Sequence, residues 1–382
     1  MNFFVKESYG VIWHFYHNSH GICYCKMTDE NITEYQVLIP EGQEDFDVIV
    51  DDSNCIHMAF QNKDGDILYA NHFNGEWRKT TLMQSKNRVY YHKNIVLKRV
   101  GNWLNILYCI EYAGKKMLTH QIIGAEEEIP IVIDCIKGGF CATQDTGGNI
   151  YVLFYSETKK VWGIKKYLWS QKQWSEFTPT EKLAECKNPF LFIDNEDELH
   201  VVYERDFCVL ELYDGREKMI GTGQKPVMIN YNNNIIVWEG VTDNKIYIKK
   251  ESEINPTVFM SGGFSKPSLF KLRYTTYESD LIAECCKGNI INGVARTYGL
   301  NNFFVVSQSS PVTLKSQKTD NFDDAAYKEI QRLKMKINQL NSIIESLQTK
   351  ISEYDDKKID RRLNELETAV NKSNKPKLFS LF

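Results

Sequence analysis

Two histidines hold the same place in two copies of a repeated phrase, and an imidazole is well suited to proton transfer or metal binding near neutral pH. They are His57, in the run Cys-Ile-His-Met-Ala-Phe, and His200, in the run Leu-His-Val-Val-Tyr. A reaction needs one base in one place, so a catalytic residue is rarely duplicated within a chain. We therefore predict that both histidines have a structural role on a β-strand.

Five aspartates stand in the polar segments next to such runs: Asp51, Asp52, Asp145, Asp194 and Asp197. An aspartate in a turn usually accepts hydrogen bonds from backbone N–H groups, and we favour that role over metal binding. The run 62–66 comes nearest to a calcium loop, but an isoleucine follows where an EF-hand needs glycine.

Other signatures of chemistry are missing from the sequence. The ten cysteines show no zinc-type spacing, and there is no nucleophile elbow, phosphate loop or dinucleotide fingerprint. The sequence therefore predicts no catalytic residue, no cofactor and no metal. We expect the cysteines to be reduced thiols of a cytoplasmic protein, since no apolar leader precedes the first strand and no run is long enough to span a membrane.

The repeated phrase reads as a polar turn, an apolar strand, a second turn, another strand and a tryptophan. Residues 51–60, 65–70 and 75–77 form one copy, and residues 144–155 and 194–203 begin two others. The position of His57 recurs roughly every 36 to 49 residues. The full set of equivalents is Trp13, His57, Asn105, Tyr151, His200, Ile236 and Ile282.

This period, filled with short β-rich runs, is typical of the four-stranded blades of a propeller. We predict an all-β, seven-bladed β-propeller over residues 1–310. In the second blade we expect strands at 46–50, 55–61, 66–73 and 76–83. The third blade should be the least regular, because the acidic segment 125–128 replaces its fourth strand.

The phrase resembles that of bacterial propellers of the sialidase-like and fucose-lectin-like kind, in which an Ile-His-Val-Val-Tyr strand precedes Gly-x-Ile-Tyr-Tyr and Gly-x-Trp. Residues 199–203, 65–69 and 75–77 carry the resemblance here. It implies the propeller fold and a carbohydrate as one class of ligand. The Asp boxes and the arginine cluster of sialidases are absent from this sequence.

Composition changes after residue 310. Residues 311–324 read as a linker, and residues 325–371 carry a heptad seam with isoleucine at a and leucine, then tyrosine, at d. We predict a parallel coiled-coil dimer, or a trimer; a single amphipathic helix lying on the propeller is the alternative. The seam residues are Ile330, Leu333, Ile337, Leu340, Ile344, Leu347, Ile351 and Tyr354.

Residues 372–382 form an apolar tail after the coil. Leu378, Phe379, Leu381 and Phe382 could dock on a protein or touch a membrane surface. The net charge of −4 at pH 7 and the lack of a basic face count against nucleic acid as a partner. We expect a non-enzymatic binding or scaffold protein that presents a protein- or glycan-binding face; the alternative is a lectin, or a glycoside hydrolase or lyase with a divergent site in the central channel.

Overall fold

The computed structural model divides the chain into two units, residues 1–308 and residues 309–382. It describes residues 2–298 with gaps at 9–10, 28–32, 74, 87, 125–128, 232, 243–244, 261–267, 275–280 and 292–293. The predicted linker, heptad seam and apolar tail lie outside the described residues. Within these limits the protein is all-β.

The described strands form five hydrogen-bonded sheets, built from consecutive antiparallel groups. Group 1 contains β1 (Asn2–Lys6), β2 (Ile12–Asn18), β3 (Gly21–Met27) and β4 (Gln36–Ile39). Group 2 contains β5 (Gly42–Val50), β6 (Ile56–Asn62), β7 (Ile67–Phe73) and β8 (Glu76–Met83). Group 3 contains β9 (Val96–Val100), β10 (Trp103–Tyr112) and β11 (Lys115–Ile123), and it shares β12 (Ile131–Gln144) with group 4. The other strands of group 4 are β13 (Ile150–Ser156), β14 (Val161–Leu168), β15 (Gln173–Trp174) and β16 (Thr178–Pro179).

The second half of the described chain continues the pattern. Group 5 contains β17 (Lys187–Ile193), β18 (Leu199–Arg205), β19 (Cys208–Tyr213) and β20 (Arg216–Thr222). Group 6 contains β21 (Gln224–Tyr231), β22 (Asn234–Glu239), β23 (Lys245–Lys250) and β24 (Thr257–Met260). Group 7 contains β25 (Ser268–Tyr274), β27 (Cys285–Ile291) and β28 (Val294–Tyr298), while β26 (Leu281–Ile282) pairs with β21. Within the described ranges the only helix is a 3₁₀ turn, Glu181–Leu183, and no helix is long and apolar enough to cross a membrane.

Both faces of a group are buried, because alternate residues of each strand point to opposite neighbours. In β6, Met58 and Phe60 pack against group 1, whereas Ala59 packs against group 3. This explains why the second strands read as nearly continuous apolar runs. The four strands predicted for the second blade are all present, with bounds shifted by at most a few residues.

The strand β12 serves two groups. Its first half pairs with β11 and its second half with β13, with an irregular register between Lys137 and Phe140. Gly138 lies there with a φ of +82°, a backbone conformation that favours glycine. The first half of β12 thus forms the fourth strand of group 3, and it contains no tryptophan. That group 3 is the least regular stays a prediction.

Six apolar clusters follow one another through the molecule. They lie between groups 1 and 2, 2 and 3, 3 and 4, 4 and 5, and 5 and 6, and the last joins groups 6, 7 and 1. In that last cluster Phe4 of β1, Val237 of β22 and Phe270 of β25 pack together. The core therefore closes on itself, as the propeller prediction requires.

Ring closure also involves the backbone. The strands β1 and β25 pair in parallel, from Asn2 opposite Phe270 to Lys6 opposite Tyr274. One predicted equivalent of His57 is wrong: Ile282 belongs to β26 and pairs with Asn230 of β21, while the second strand of group 7 is β27. The count of seven blades stays a prediction, because group 7 runs into residues outside the described ranges.

Candidate functional site

The aspartates of the repeated turns accept backbone hydrogen bonds, as the sequence predicts. Asp51 Oδ1 accepts from the N–H groups of Ser53 at 2.9 Å and Cys55 at 2.8 Å. Asp194 Oδ1 accepts in the same way from two N–H groups, each at 2.9 Å. Asp145 Oδ1 accepts from the Asn149 N–H at 2.7 Å. Each of these three turns between a first and a second strand is therefore held by its own carboxylate.

The two histidines connect these turns to the third strand. In group 2 the His57 ring lies between Asp51 Oδ2, at 3.2 Å, and the Tyr69 hydroxyl, at 2.6 Å. In group 5 the His200 ring lies between Asp194 Oδ2, at 3.2 Å, and Glu211 Oε1, at 3.0 Å. These contacts agree with the structural role expected for both side chains.

The two imidazoles nevertheless differ in pKa. Burial lowers the pKa of His57, and the nearby Asp51 offsets only part of this effect. Burial acts in the same direction on His200, but the carboxylates of Glu211 and Asp194 outweigh it and raise the pKa. The equivalent side chain in group 4 is Tyr151, whose hydroxyl donates to Asp145 Oδ2 at 3.1 Å. One position of the repeat thus holds an imidazole with a lowered pKa, an imidazole with a raised pKa and a phenol.

The candidate binding site is a pocket of about 490 Å³ at the ends of the innermost strands. It lies where β5, β9, β12 and β25 end and the chain turns toward the next strand. Its wall combines charged and aromatic side chains: Asp52, Lys98, Arg99, Arg273, Glu284, Trp169 and Tyr274. A concave site with a few convergent polar groups is the usual form of a ligand site.

The floor of this pocket is a buried network of ion pairs between distant groups. Arg273 of β25 donates through Nη2 to Asp47 of β5 at 2.9 Å, and Asp47 is fully buried. Lys98 of β9 pairs with Glu284, and Thr143 of β12 donates to the same carboxylate at 3.5 Å. Side chains from groups 2, 3, 4 and 7 therefore meet in one place.

Charge in the network is compensated internally. Burial alone would raise the pKa of Asp47, but the positive charges of Arg273 and Lys271 and the N–H of Leu97 hold it below its ordinary value. Burial would likewise lower the pKa of Arg273, yet Asp47 and Glu284 raise it. Both groups are therefore ionised at neutral pH, and each stabilises the charge of the other.

The rim is more accessible than the floor. Arg99 donates through Nη2 to Asp52 at 2.8 Å, and these side chains are 21 % and 38 % exposed. Gln144 donates to the Arg99 carbonyl at 2.7 Å, which fixes the backbone at that point. Trp169 lines the same pocket, with the Lys172 ammonium over its ring. A guanidinium, a carboxylate and an indole thus surround one opening.

Sequence reasoning did not find this pocket, because its residues come from one strand end in each of several groups. The arginines do not recur at one position of the repeat, so no arginine cluster could be placed. A usable signal was nonetheless present. Asp47, Lys98 and Arg273 are charged residues of first strands that pack into the core, and a charge buried there must find a partner.

One set of side chains could hold a metal ion. Within the described ranges, Asp51, Cys55 and His57 are the three residues whose ligand atoms all lie within 4.8 Å of one another. The sequence analysis considered Asp51 and His57 separately and overlooked their convergence with Cys55. A spacing of four and then two residues across a turn and the start of a strand is the pattern that could have indicated it.

Comparisons with known proteins give only a loose similarity of fold. No family model matches the chain, and no curated protein matches it. A fucose-specific lectin from Aleuria aurantia is 9 % identical, with a TM-score of 0.43 over 68 % of this chain and 94 % of the lectin. An ulvan lyase structure is 10 % identical, with a TM-score of 0.47 over 75 % of this chain and 88 % of the lyase.

A third similar structure is TolB from Acinetobacter baumannii, 11 % identical, with a TM-score of 0.43 over 65 % of each chain. Scores of this size do not decide what the protein binds. The assignment of a function therefore rests on the geometry of the pocket.

Proposed function

We propose that residues 1–310 form a seven-bladed propeller that binds a saccharide in the pocket at the ends of its inner strands. The observation that carries the proposal is the arrangement of the rim, where Arg99 and Asp52 face the same opening as Trp169. A guanidinium and a carboxylate can donate to and accept from neighbouring hydroxyl groups, while an indole offers a flat apolar surface to the face of a sugar ring. The volume of about 490 Å³ suits a mono- or disaccharide.

The charged side chains of the pocket suit the binding of a saccharide better than they suit its hydrolysis. A glycoside hydrolase needs a protonated carboxyl group with a raised pKa beside a second carboxylate. Here the pKa of Asp47 is lowered, and Glu284 is paired with Lys98. Neither carboxylate is therefore prepared to donate a proton to a leaving group.

A hydrolase or lyase remains the second candidate, because one observation favours it. Several charged side chains converge at the end of the channel, which is where a divergent active site would lie. Tyr274 lines the same wall as Arg273, and a phenol beside a guanidinium could serve a lyase in acid–base chemistry.

The predicted coiled coil completes the proposal. Residues 325–371 would join two heads in parallel, with the linker 311–324 allowing both to reach one surface. Linking two weak sites raises overall binding by orders of magnitude when both engage together. We therefore propose a multivalent, non-enzymatic binding protein, active as an oligomer.

A glycan array probed with the full chain tests the proposal, followed by titration of the best glycan in solution. Arg99→Met should weaken binding tenfold or more, since it removes a charged donor from the rim. The matched control is Arg205→Met, because Arg205 forms a comparable ion pair with Glu217 in group 5. Its binding should equal that of the parent.

Three outcomes would count against the proposal. The array could show no bound glycan, or the two arginine variants could bind equally well. Degradation of a polysaccharide, abolished by Tyr274→Phe, would replace it with the lyase alternative.

A further inference from the structure

The turn that begins β6 brings a carboxylate, a thiol and an imidazole together. Their ligand atoms lie within 4.8 Å of one another, and no ion is needed for the turn itself because Asp51 caps its amides. We propose that Asp51, Cys55 and His57 bind a zinc ion, with solvent as the fourth ligand. This site is separate from the proposed saccharide pocket and from its rim pair.

The spacing of two ligand atoms already matches tetrahedral zinc. Asp51 Oδ2 and His57 Nε2 are 3.2 Å apart. Two ligands bound at about 2.0–2.1 Å with tetrahedral angles would be separated by about 3.3–3.4 Å. Cys55 Sγ lies within 4.8 Å of a ligand atom of each of the other two residues, and its side chain would move closer to them to form a bond of about 2.3 Å.

Hydrogen bonds to neighbouring groups orient Asp51 and His57, two of the three proposed ligands. Asp51 uses Oδ1 to cap the turn, which leaves Oδ2 for the ion. His57 presents Nε2 because its Nδ1 contacts the Tyr69 hydroxyl at 2.6 Å. In the metal-free protein Nε2 donates to Asp51 Oδ2. A hydroxyl can donate or accept, so Tyr69 also permits the tautomer that metal binding requires, in which Nδ1 is protonated and Nε2 binds the ion.

The equivalent turn in group 5 lacks this ability. Both nitrogens of His200 face carboxylates, those of Asp194 and Glu211. An ionised carboxylate only accepts, so both nitrogens must donate and no lone pair remains for a metal. In group 4 the same position is Tyr151, and the residue corresponding to Cys55 is Asn149. Among these related turns, the three ligands converge in group 2.

Charge and access also suit zinc. Asp51 and a Cys55 thiolate together would neutralise a divalent ion, and the mixed oxygen, sulfur and nitrogen set is one that zinc accepts. The neighbouring Arg99 opposes a cation, but Asp52 pairs with it. The Asp51 and His57 side chains are 20 % and 12 % exposed, which leaves room for a solvent ligand. The Cys55 proton would be released on binding.

Titration of the metal-free, full-length protein with Co²⁺ tests the site. A bound thiolate gives a charge-transfer band in the near ultraviolet, and tetrahedral coordination gives intense visible bands; added Zn²⁺ should remove both. Cys55→Ala should abolish the charge-transfer band, and His57→Asn should weaken Zn²⁺ binding at least tenfold. Cys208→Ala and His200→Asn, a thiol and an imidazole from group 5, should leave the spectrum unchanged.

The parent protein alone can overturn the proposal, independently of whether any variant folds. If it shows no thiolate charge-transfer band with Co²⁺ at a stoichiometric concentration, the site is wrong. A band that survives in a folded Cys55→Ala variant would place the metal on other cysteines and would also refute it.

Discussion

The second position of the second strand shows how a repeat can keep one contact while changing its chemistry. His57, His200 and Tyr151 each join the turn carboxylate to a residue of the third strand. The partner on the third strand contributes to the difference in pKa, since the carboxylate of Glu211 raises the pKa of His200, whereas burial lowers the pKa of His57, which lies beside the Tyr69 hydroxyl. The histidine in the sequence therefore does not by itself reveal its protonation state.

Buried histidines should make the protein sensitive to acid. His14 and His120 are almost fully buried, and burial lowers the pKa of each to about 4. The unfolded chain binds these protons below about pH 6.5 and the folded chain only below about pH 4, so stability is complete above pH 6.5 and falls between these values. Each group could contribute about 3 kcal/mol to that loss. Thermal unfolding between pH 7 and pH 4 measures the slope.

His120→Gln should flatten this pH dependence, since the amide can still donate to Asn105 but cannot be protonated. His200→Gln should change it in the opposite direction. The raised pKa of His200 stabilises the fold below about pH 6.5, and this contribution is lost as the pH rises through the folded-state pKa. Equal slopes for the parent and His120→Gln would show that burial of this ring is not what limits stability in acid.

At the level of strands, much of the fold follows from local patterns. Runs rich in β-branched and aromatic residues, bounded by Asp, Asn and Gly, mark the second and third strands of group 2 almost to the residue. Two features of the fold could not be predicted from the sequence, because they depend on partner strands far away in the chain. The strand β12 extends across two groups, and β26 pairs with β21 rather than forming the second strand of group 7.

The pocket was unpredictable for a related reason. A turn and its cap lie within a few residues, so Asp51 and Asp194 could be assigned from the sequence. The partner of Arg273 is Asp47, more than half the chain away, and nothing in the period of the repeat connects them. Contacts of this kind depend on how the groups are arranged around the channel.

One glycine of β14 has no space for a side chain. A Cβ atom on Gly163 would lie 2.3 Å from Phe177 Cζ and 2.5 Å from the carbonyl oxygen of Thr178. Gly163→Ala should therefore displace Phe177 and the pairing of β14 with β16, and cost about 1–3 kcal/mol of unfolding free energy. Urea unfolding of the full chain gives the value.

Gly139→Ala is the matched control in β12 of the same sheet, because the nearest atom to its Cβ would be Asn94 Oδ1 at 3.9 Å. We expect a change within about 0.5 kcal/mol. Equal losses in the two variants would indicate that the contact between β14 and Phe177 is not the cause.

At the scale of the whole molecule, the protein combines the β-sheet region of residues 1–310, here called the head, with a predicted coiled coil that would mediate self-association. Ile337→Asp together with Ile344→Asp should convert the oligomer to a monomer, because charges at two a positions would have to be desolvated in the seam. Light scattering measures the mass, and the circular dichroism of the head should be unchanged. Ile337→Val with Ile344→Val, which keeps β-branched apolar residues at both a positions, should remain oligomeric. A parent protein that is already monomeric would refute the predicted coil.

The same self-association should appear in binding. A chain ending at residue 310 should keep the affinity of a single head for a soluble glycan, yet bind a dense glycan surface at least tenfold more weakly than the full chain. Equal binding to the dense surface would contradict the role of avidity without touching the saccharide site.

The parallel pairing of β1 with β25 has a consequence for synthesis of the protein. The apolar strand β1 leaves the ribosome well before β25, and the strand that covers its outer edge is complete only at Tyr274. At translation rates of about 5–20 residues per second, that edge waits roughly ten seconds to a minute for its partner. An uncovered apolar edge invites pairing with another nascent chain. Ribosome-bound chains arrested at residue 260 should therefore recruit a holdase chaperone more strongly than chains arrested well beyond residue 308. Synthesis and pairing of the last strands would then release the nascent protein from its chaperone.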